Sequence, residues 1–99
     1  MPEDHHSATR YLLRLFVTGT TPRSARALES VKAICEQHLR GQYTLEVIDV
    51  YQQPELAQAE QLVALPTLIK ELPEPLRKLV GDMSDTERVL VGLDIRPEN

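Results

Sequence analysis

The chain has little cysteine, no long apolar run and no surplus of positive charge. A single cysteine, Cys35, among 99 residues excludes an internal disulfide and the Cys-x-x-Cys pair of a thiol redox enzyme. No apolar run approaches the roughly 18–20 residues that cross a bilayer, and a net charge of −4 offers no basic stripe for nucleic-acid phosphates. A glycine-rich phosphate loop, a carboxylate pair and a metal-ligand cluster are also missing. The sequence therefore predicts no catalytic residue, no cofactor and no metal.

The composition fits one small domain, with 41% hydrophobic and 26% charged residues. Residues 1–9 carry no hydrophobic periodicity and are expected to form a disordered tail, which leaves a single domain at residues 10–95. The tail is acidic and polar, unlike a signal or transit peptide, and this predicts a cytoplasmic protein. His5 and His6 lack a spaced third ligand, so we interpret them as solvated residues of the tail.

The first half of the chain has the pattern of a strand, a helix and a second strand. The almost entirely apolar run Tyr11–Val17 predicts a buried strand. Thr21 is a natural N-cap, and Pro22 suits the first position of the helix that follows. The apolar stripe of this helix consists of Leu28, Val31, Ile34, Cys35 and Leu39. Tyr43–Val50 is rich in β-branched residues, which completes a predicted right-handed βαβ unit with parallel strands.

A proline at the entrance of a strand organises the middle of the chain. A short helix is predicted from Pro54 to about Gln61. After it, the stretch Ala64-Leu65-Pro66-Thr67-Leu68-Ile69 places Pro66 where its missing N–H is tolerated. This step, downstream of a βαβ unit, resembles the proline loop of thioredoxin-like domains. A redox enzyme of that class would have cysteines at the start of the first helix, but Thr21 and Ser24 stand at that spacing, and we interpret their hydroxyls as helix caps.

The stretch after Pro66 supports two incompatible predictions. In one, Thr67–Leu72 is a strand and Leu76–Val80 is its hairpin partner across Pro73 and Pro75. In the other, the leucines of the same stretch fall at helical spacing, and each proline begins a new helix.

The last part of the chain is ambiguous in the same way. Ser84-Asp85-Thr86-Glu87 is a capping box that predicts a helix through Val91. Yet Arg88–Ile95 is short and β-branched, which favours a strand. Ordinary ambiguity of single-sequence prediction is one explanation, and two packings separated by a few kcal/mol are the other.

A series of short motifs runs in order along most of the chain. They are Thr21-Pro22, Ser24, Arg26-Ala27-Leu28, Gly41 with Tyr43, Val47-Ile48-Asp49-Val50, Pro54 with Leu56-Ala57, Pro66-Thr67-Leu68, Gly81-Asp82 with Ser84-Asp85, and Val89-Leu90-Val91-Gly92-Leu93-Asp94. From about Tyr11 to Asp94 the chain thereby resembles the KaiB family of small clock proteins. The resemblance implies an α/β protein with a thioredoxin-like βαβ N-terminal half and a metamorphic C-terminal half. Its ground state has the order βαββααβ, and its fold-switched, thioredoxin-like form has the order βαβαββα.

The resemblance also implies a function, that of a non-enzymatic clock or timer component. In the family the ground state is a homo-oligomer, expected here as a tetramer or dimer. The rarer thioredoxin-like form binds the N-terminal ATPase ring of the KaiC hexamer, and its scarcity lowers the apparent affinity by the competent fraction. KaiA and a clock histidine kinase are further partners where they are present.

Two sets of residues are expected to carry these properties. Partner contacts are expected from Arg26, Pro54, Leu56, Ala57 and Gln61. The equilibrium between the two forms is expected to depend on Pro66, Pro73, Pro75, Val91, Gly92 and Asp94. Glycine tolerates backbone angles that other residues resist, and a charge must be re-solvated when its segment changes partner. Gly92→Ala and Asp94→Arg should therefore shift the populations.

Some features depart from the family pattern. Gln61 stands where family members commonly carry a lysine, Leu65 replaces a threonine, and an acidic C-terminal tail is missing. These departures predict a family member from outside the cyanobacteria that works with KaiC without KaiA. Two other functions stay open: a thioredoxin-like adaptor that recruits another ATPase or kinase, and, with less support, a redox enzyme that depends on Cys35.

Overall fold

The computed structural model describes residues 10–62 and 64–96, so the tail expected at residues 1–9 lies outside the described residues. In chain order the elements are β1 (Tyr11–Val17), α1 (Pro22–His38), β2 (Tyr43–Asp49), α2 (Pro54–Glu60), β3 (Thr67–Leu72), β4 (Arg77–Val80) and α3 (Thr86–Gly92). This β-α-β-α-β-β-α order is the one expected for the thioredoxin-like form, and it differs from the ground-state order.

The four strands form one mixed sheet in the order β2-β1-β3-β4. β1 runs parallel to β2, with Val17 beside Asp49 at their ends. β3 is antiparallel to both β1 and β4, with Thr67 near the end of β1 and paired with Val80. We call the edge where β1, β2 and β4 end and β3 begins the carboxyl edge, and the opposite one the amino edge. The parallel βαβ unit predicted from the first half is confirmed.

The larger core lies on the face of the sheet that α1 and α3 cover. Leu13 and Leu15 of β1 are 1% and 0% exposed, and they belong to the same buried cluster as residues of both helices. The members from the helices and the adjoining loops are Ala27, Val31, Ile34, Cys35, Leu39, Met83, Val89, Leu93 and Ile95. The predicted stripe of α1 is thus confirmed, with Leu28 half-buried at its margin.

A smaller core lies on the opposite face, under α2. Phe16, Ile48 and Ile69 are its buried members. Leu56 of α2 is half-buried and packs against them, together with Val50, Leu62 and Leu65. Since α2 has only seven residues, a helix of that length is not stable alone and is held by this apolar contact.

The predicted N-cap is correct for α1 and wrong for α3. Thr21 caps α1 as predicted, because its Oγ1 accepts a hydrogen bond from the Ser24 backbone N–H at 3.2 Å. The capping box predicted from Ser84 is wrong by one residue. Asp85 is the N-cap of α3, and its Oδ1 accepts from Arg88 N at 3.2 Å. Ser84 instead donates its hydroxyl to Asp82 Oδ1 at 2.9 Å.

The structure selects one of the two predictions made for each ambiguous stretch after Pro66. Residues 67–80 form the hairpin and not two helices, and the strand predicted for Arg88–Ile95 is replaced by α3. The hairpin buries Leu68, while α3 buries Val89 and is followed by buried Leu93. This burial of apolar side chains stabilises the observed combination. None of the described helices is both long and apolar enough to cross a membrane.

Candidate partner-binding surface

The start of α1 lies at the carboxyl edge, where a redox enzyme of this fold would present thiols. Ser24 is 3% exposed, and its Oγ accepts a hydrogen bond from Thr18 N at 3.1 Å. Thr21 is occupied as the cap of the same helix. Thr21 is thus a helix cap as predicted, whereas Ser24 is not a cap, because its hydroxyl instead binds the residue that follows β1.

Cys35 lies in the last turn of α1, about 20 Å along the helix from its start. Its side chain is in the larger core, 1% exposed. Burial, with a smaller contribution from the negative charge of Glu36, raises the pKa of the Cys35 thiol to about 12. A thiolate is the reactive form of cysteine, so this residue is poorly suited to redox chemistry.

Because of this environment, we expect the native chain to resist thiol reagents at pH 8. A pKa of about 12 leaves roughly one thiolate in ten thousand at that pH, and the burial blocks access. Labelling with a disulfide-exchange reagent should run to completion in urea and proceed in buffer only as the structure opens. Labelling in buffer as fast as in urea would show that Cys35 is accessible.

The loop between β2 and α2 presents an aromatic side chain at the carboxyl edge. Asp49 Oδ1 accepts hydrogen bonds from Tyr51 N at 2.9 Å and from Gly19 N at 3.3 Å, which fixes the loop against the turn after β1. Gly19 has a φ of +58°, in the region that favours glycine. The Tyr51 side chain itself is 76% exposed. Exposed tyrosines of this kind are frequent anchors in protein interfaces.

Arg26 is exposed on α1, on the other side of the sheet from α2. Together with Arg23 it faces the loop before α3, where Asp82 lies. Hydrogen bonds from the backbone and the hydroxyl of Ser84 lower the pKa of Asp82, and the charges of Arg26 and Arg23 lower it further. The positive charge of Arg26 is therefore available to solvent and close to the carboxyl edge.

An open apolar groove lies beside α2. It has a volume of about 350 Å³ and is lined by Ala57, Gln58 and Gln61 on one side. Val50, Leu62, Ala64 and Leu65 line the rest. Gln61 is the C-cap of α2 and has a φ of 54°, which turns the chain back toward the sheet. Of the predicted partner residues, Ala57 and Gln61 thus share one groove, Pro54 is exposed at the start of α2, and Leu56 packs inward.

The residues expected to control the equilibrium are spread over the second half. Buried Pro66 lies at the carboxyl edge, and exposed Pro73 and Pro75 lie in the β3–β4 turn. The peptide bonds that precede these three prolines are cis. Val91 is 76% exposed on α3. Gly92 ends α3, and Asp94 follows it with a φ of 55°.

The family of the chain follows from comparison with known proteins. The family model described as the KaiB domain matches residues 14–95. The chain belongs to the KaiB family. It is 51% identical over 89 residues to the circadian clock protein KaiB3 of Synechocystis sp., covering 90% of this chain and 87% of that protein. It is 54% identical over 85 residues to the circadian clock oscillator protein KaiB of Nostoc punctiforme, covering 86% and 82%.

Solved structures give the same fold. The N-terminal domain of Synechococcus elongatus SasA superposes with a TM-score of 0.71 at 31% identity, covering 93% of this chain and 90% of that domain. Mitochondrial thioredoxin 3 of Saccharomyces cerevisiae gives a TM-score of 0.70 at 15% identity, covering 89% and 80%. The predicted thioredoxin-like α/β fold is confirmed. The KaiB relatives named above are cyanobacterial, so they do not bear out the expectation of a source outside the cyanobacteria.

Sequence reasoning missed several residues of this KaiB-family surface. Tyr51 and the groove residues Val50, Leu62 and Leu65 were not predicted to contact a partner. Tyr51 had a usable signal, since a large aromatic residue stood between the end of a strand and the proline that begins a helix. The groove had none, because it forms only when α2 and the segment before Pro66 close on each other. Among residues 10–62 and 64–96, no group of three or more His, Cys, Asp or Glu is placed to hold a metal.

Proposed function

We propose that this KaiB-family protein is a non-enzymatic timing component that binds the KaiC ATPase hexamer in its thioredoxin-like form. Binding to the N-terminal ATPase ring would regulate the phosphorylation and ATPase cycle of KaiC in the cytoplasm. The observation that carries the proposal is the KaiB domain match over residues 14–95, together with relatives named as circadian clock proteins. Thr21 and Ser24 stand where redox cysteines usually lie, and their hydroxyls hydrogen-bond within the turn before α1, which agrees with a binding function.

The proposed contact surface lies around the carboxyl edge and along α2. We name it the carboxyl-edge surface, and it consists of Arg26, Tyr51, Pro54, Ala57 and Gln61. It combines an exposed cation, an exposed aromatic ring and an open apolar groove, which are the features of an interface with a few strong anchors. Leu56 would act indirectly, by holding α2 on the sheet.

Conversion to a second form is the other part of the proposal, and backbone strain supports it. Among the described residues, the non-glycine residues with positive φ are Gln61, Met83 and Asp94, at 54°, 62° and 55°. Each such residue costs on the order of 1 kcal/mol. Met83 and Asp94 belong to the stretch after Pro66 that has two competing predictions, so their strain raises the energy of this form where an alternative exists.

The composition of α3 supports conversion as well. This helix has only seven residues, including two valines, a threonine and a glycine, which are weak helix formers. Val91 lies on its surface with 76% of its side chain exposed, where it gains little from burial. The helix is therefore held mainly by Val89 and the adjoining Leu93, and few contacts must be broken to release it.

Gly92→Ala is expected to raise the population of the thioredoxin-like form by up to about fivefold. Alanine is favoured over glycine in a helix by roughly 0.5–1 kcal/mol, and Gly92 does not use the positive-φ region. The new Cβ would lie 3.2 Å from Leu79 Cδ1, and the half-buried Leu79 side chain can shift by the few tenths of an ångström required. The ratio of the two sets of amide resonances in NMR spectra measures the effect.

The matched control is Gly41→Ala. Gly41 has a φ of +76° and an open environment, so alanine there is strained by about 1 kcal/mol. It belongs to the βαβ unit common to both forms, and the change should lower overall stability without altering their ratio. If Gly92→Ala leaves the ratio of the two forms unchanged, or if Gly41→Ala changes it equally, Gly92 does not control the equilibrium between them.

Mixing with a KaiC hexamer tests the proposed function. We expect a complex that forms over hours in size-exclusion chromatography if the competent form is scarce, and a free chain that elutes as a tetramer or dimer. If the complex forms at ordinary association rates, about 10⁵–10⁷ M⁻¹s⁻¹, the chain binds without a slow change of fold. Absence of any complex would contradict the proposal. KaiA and a clock histidine kinase are proposed as secondary partners that join or compete with this complex.

The likeness to the SasA N-terminal domain favours one alternative function. In that case the chain would be a thioredoxin-like adaptor that recruits a different ATPase or kinase through the same surface. An affinity experiment that recovers such a protein and no KaiC homologue would favour it. A redox function finds no support in the environment of Cys35.

A further inference from the structure

Lys70 is unusual among the buried residues because it carries a charge. It lies on β3, opposite Leu13 of β1 and Arg77 of β4, and is 1% exposed. Among the described residues, its hydrogen-bond partner is the backbone carbonyl oxygen of Asp94, 3.5 Å from Nζ. An ammonium has three N–H donors, and a buried charge is stable only when it is well paired. Lys70 therefore retains donor capacity that the described residues do not fill.

The Lys70 side chain contributes to a cavity of about 320 Å³ at the amino edge of the sheet. Arg10 and Arg96 add two further cations to its lining, and Glu74 and Asp94 add two carboxylates. Oδ1 of the Asp94 carboxylate accepts from Arg96 Nε at 3.1 Å. The cavity thus has a net formal charge of +1 with Lys70 protonated.

The remaining polar group of the cavity is already used by the fold. The hydroxyl of Tyr11 donates to the Arg96 carbonyl at 3.2 Å and accepts from the Arg96 N–H at 3.1 Å. This pair closes one wall of the cavity and ties the segment after α3 to β1. Burial lowers the pKa of Lys70, as do the charges of Arg77 and Arg96, while Asp94 opposes them. An added anion next to the buried ammonium would therefore stabilise its charged form.

We propose that this cavity binds a phosphate group, with Lys70 as its buried donor and Arg96 as a second cation at the mouth. The phosphate oxygens would accept hydrogen bonds from the Lys70 ammonium. The phosphate would also neutralise the charge of this ammonium, which is costly to leave unpaired in a buried position. Glu74 and Asp94 limit the positive potential, so the affinity is modest and falls as salt is added. The group can be free inorganic phosphate or the ester of a mononucleotide, since the cavity is wider than the anion alone.

The test is a titration of the full-length chain with inorganic phosphate and, separately, with adenosine monophosphate, followed by ¹H–¹⁵N NMR. Ionic strength is held constant with sodium chloride. Shifts are read on the resonances of the thioredoxin-like form, identified by contacts between Leu68 and Leu79, so the outcome is independent of KaiC. We expect saturable shifts at Tyr11, Lys70 and Asp94. Shifts with both probes indicate an ester site, and shifts with phosphate alone indicate a free-anion site.

The decisive variant is Lys70→Met, which removes the ammonium and keeps an apolar stem of similar length. Replacement of a buried charge by an apolar side chain is often neutral or stabilising, so the fold should persist. Loss of one charge-assisted hydrogen bond should weaken binding by about 10- to 100-fold. Lys32→Met, at an exposed position of α1, is the matched control and should bind as the wild type does.

Arg96→Gln is a second test of phosphate binding, and because Arg96 is exposed, the substitution should not affect folding. It should weaken binding less than Lys70→Met does. The proposal is overturned if neither probe causes saturable shifts in the wild type. It is also overturned if the shifts are equal in Lys70→Met, or if they are equal in Arg96→Gln should Lys70→Met not fold.

Discussion

Replacing Phe16 with alanine should lower the free energy of unfolding by about 3–5 kcal/mol. Phe16 is 0% exposed and is the largest fully buried side chain of the described residues. It lies on the central strand β1 between Ile48 and Ile69, under Leu56 of α2. Ile48 and Ile69 are held in the hydrogen-bonded strands β2 and β3, so they can close only part of the space that the ring would leave. The loss is a large part of the roughly 5–15 kcal/mol that stabilises a domain of this size.

Urea unfolding followed by circular dichroism measures this loss. Phe16→Leu is the control, because it keeps most of the apolar volume and should cost less than about 2 kcal/mol. We also expect Phe16→Ala to loosen α2 and the groove beside it, since Leu56 packs against the cluster to which Phe16 belongs. A Phe16→Ala variant within about 1 kcal/mol of the wild type would show that the ring does not support α2.

Replacing Arg26 with glutamate should weaken the complex with the KaiC hexamer by about 100-fold, or about 2.7 kcal/mol. Arg26 is exposed on α1, and in the proposed interface its guanidinium meets the partner directly. Charge reversal there replaces an attraction with a repulsion, which costs several kcal/mol when like charges face each other. The reversal also places a second negative charge near Asp82, so the carboxyl edge as a whole becomes more acidic.

Arg40→Glu is the matched control for this charge reversal. Arg40 is also exposed, but it lies just beyond the C-terminal end of α1, away from the carboxyl edge. Both variants change the net charge by the same amount, so any general electrostatic steering changes equally. The dissociation constants of both variants for KaiC are measured by surface plasmon resonance. Equal weakening by the two substitutions would show that Arg26 lies outside the interface.

The first half of the chain could be predicted from the sequence because its signals agree. The apolar run of β1, the Thr21-Pro22 start of α1 and the β-branched β2 all point to one structure, and a parallel βαβ unit follows from their order. Here the bounds of β1 and the cap of α1 are as predicted.

The second half could not be predicted uniquely, because its local signals conflict. Arg88–Ile95 contains valines that favour a strand, and only the burial of Val89 and Leu93 against β4 and α1 selects a helix in this form. The cap was misplaced by one residue because Ser84 and Asp85 are both good N-caps. Which of them caps depends on Asp82, whose carboxylate holds Ser84.

The candidate site was predicted only in part. The sequence suggested four of its residues, which are Arg26, Pro54, Ala57 and Gln61. It did not show that the sheet separates Arg26 from the other three, because that follows from the topology. Buried Lys70 gave no signal, since a lysine next to a glutamate in a strand is usually at the solvent face. Lys70 shares a cavity with Tyr11 and Arg96, which are hydrogen-bonded to each other although 85 positions apart, and such a long-range contact cannot be read from local patterns.

The central proposal is that the thioredoxin-like form of the chain is the one that binds KaiC. Methyl NMR of the chain in complex with a KaiC hexamer tests it directly. In this form Leu68 lies between Leu15 of β1 and Leu79 of β4, and all three contribute to the larger core. We predict that the bound chain shows methyl contacts from Leu68 to both Leu15 and Leu79. A stable complex in which these contacts are missing would contradict the account.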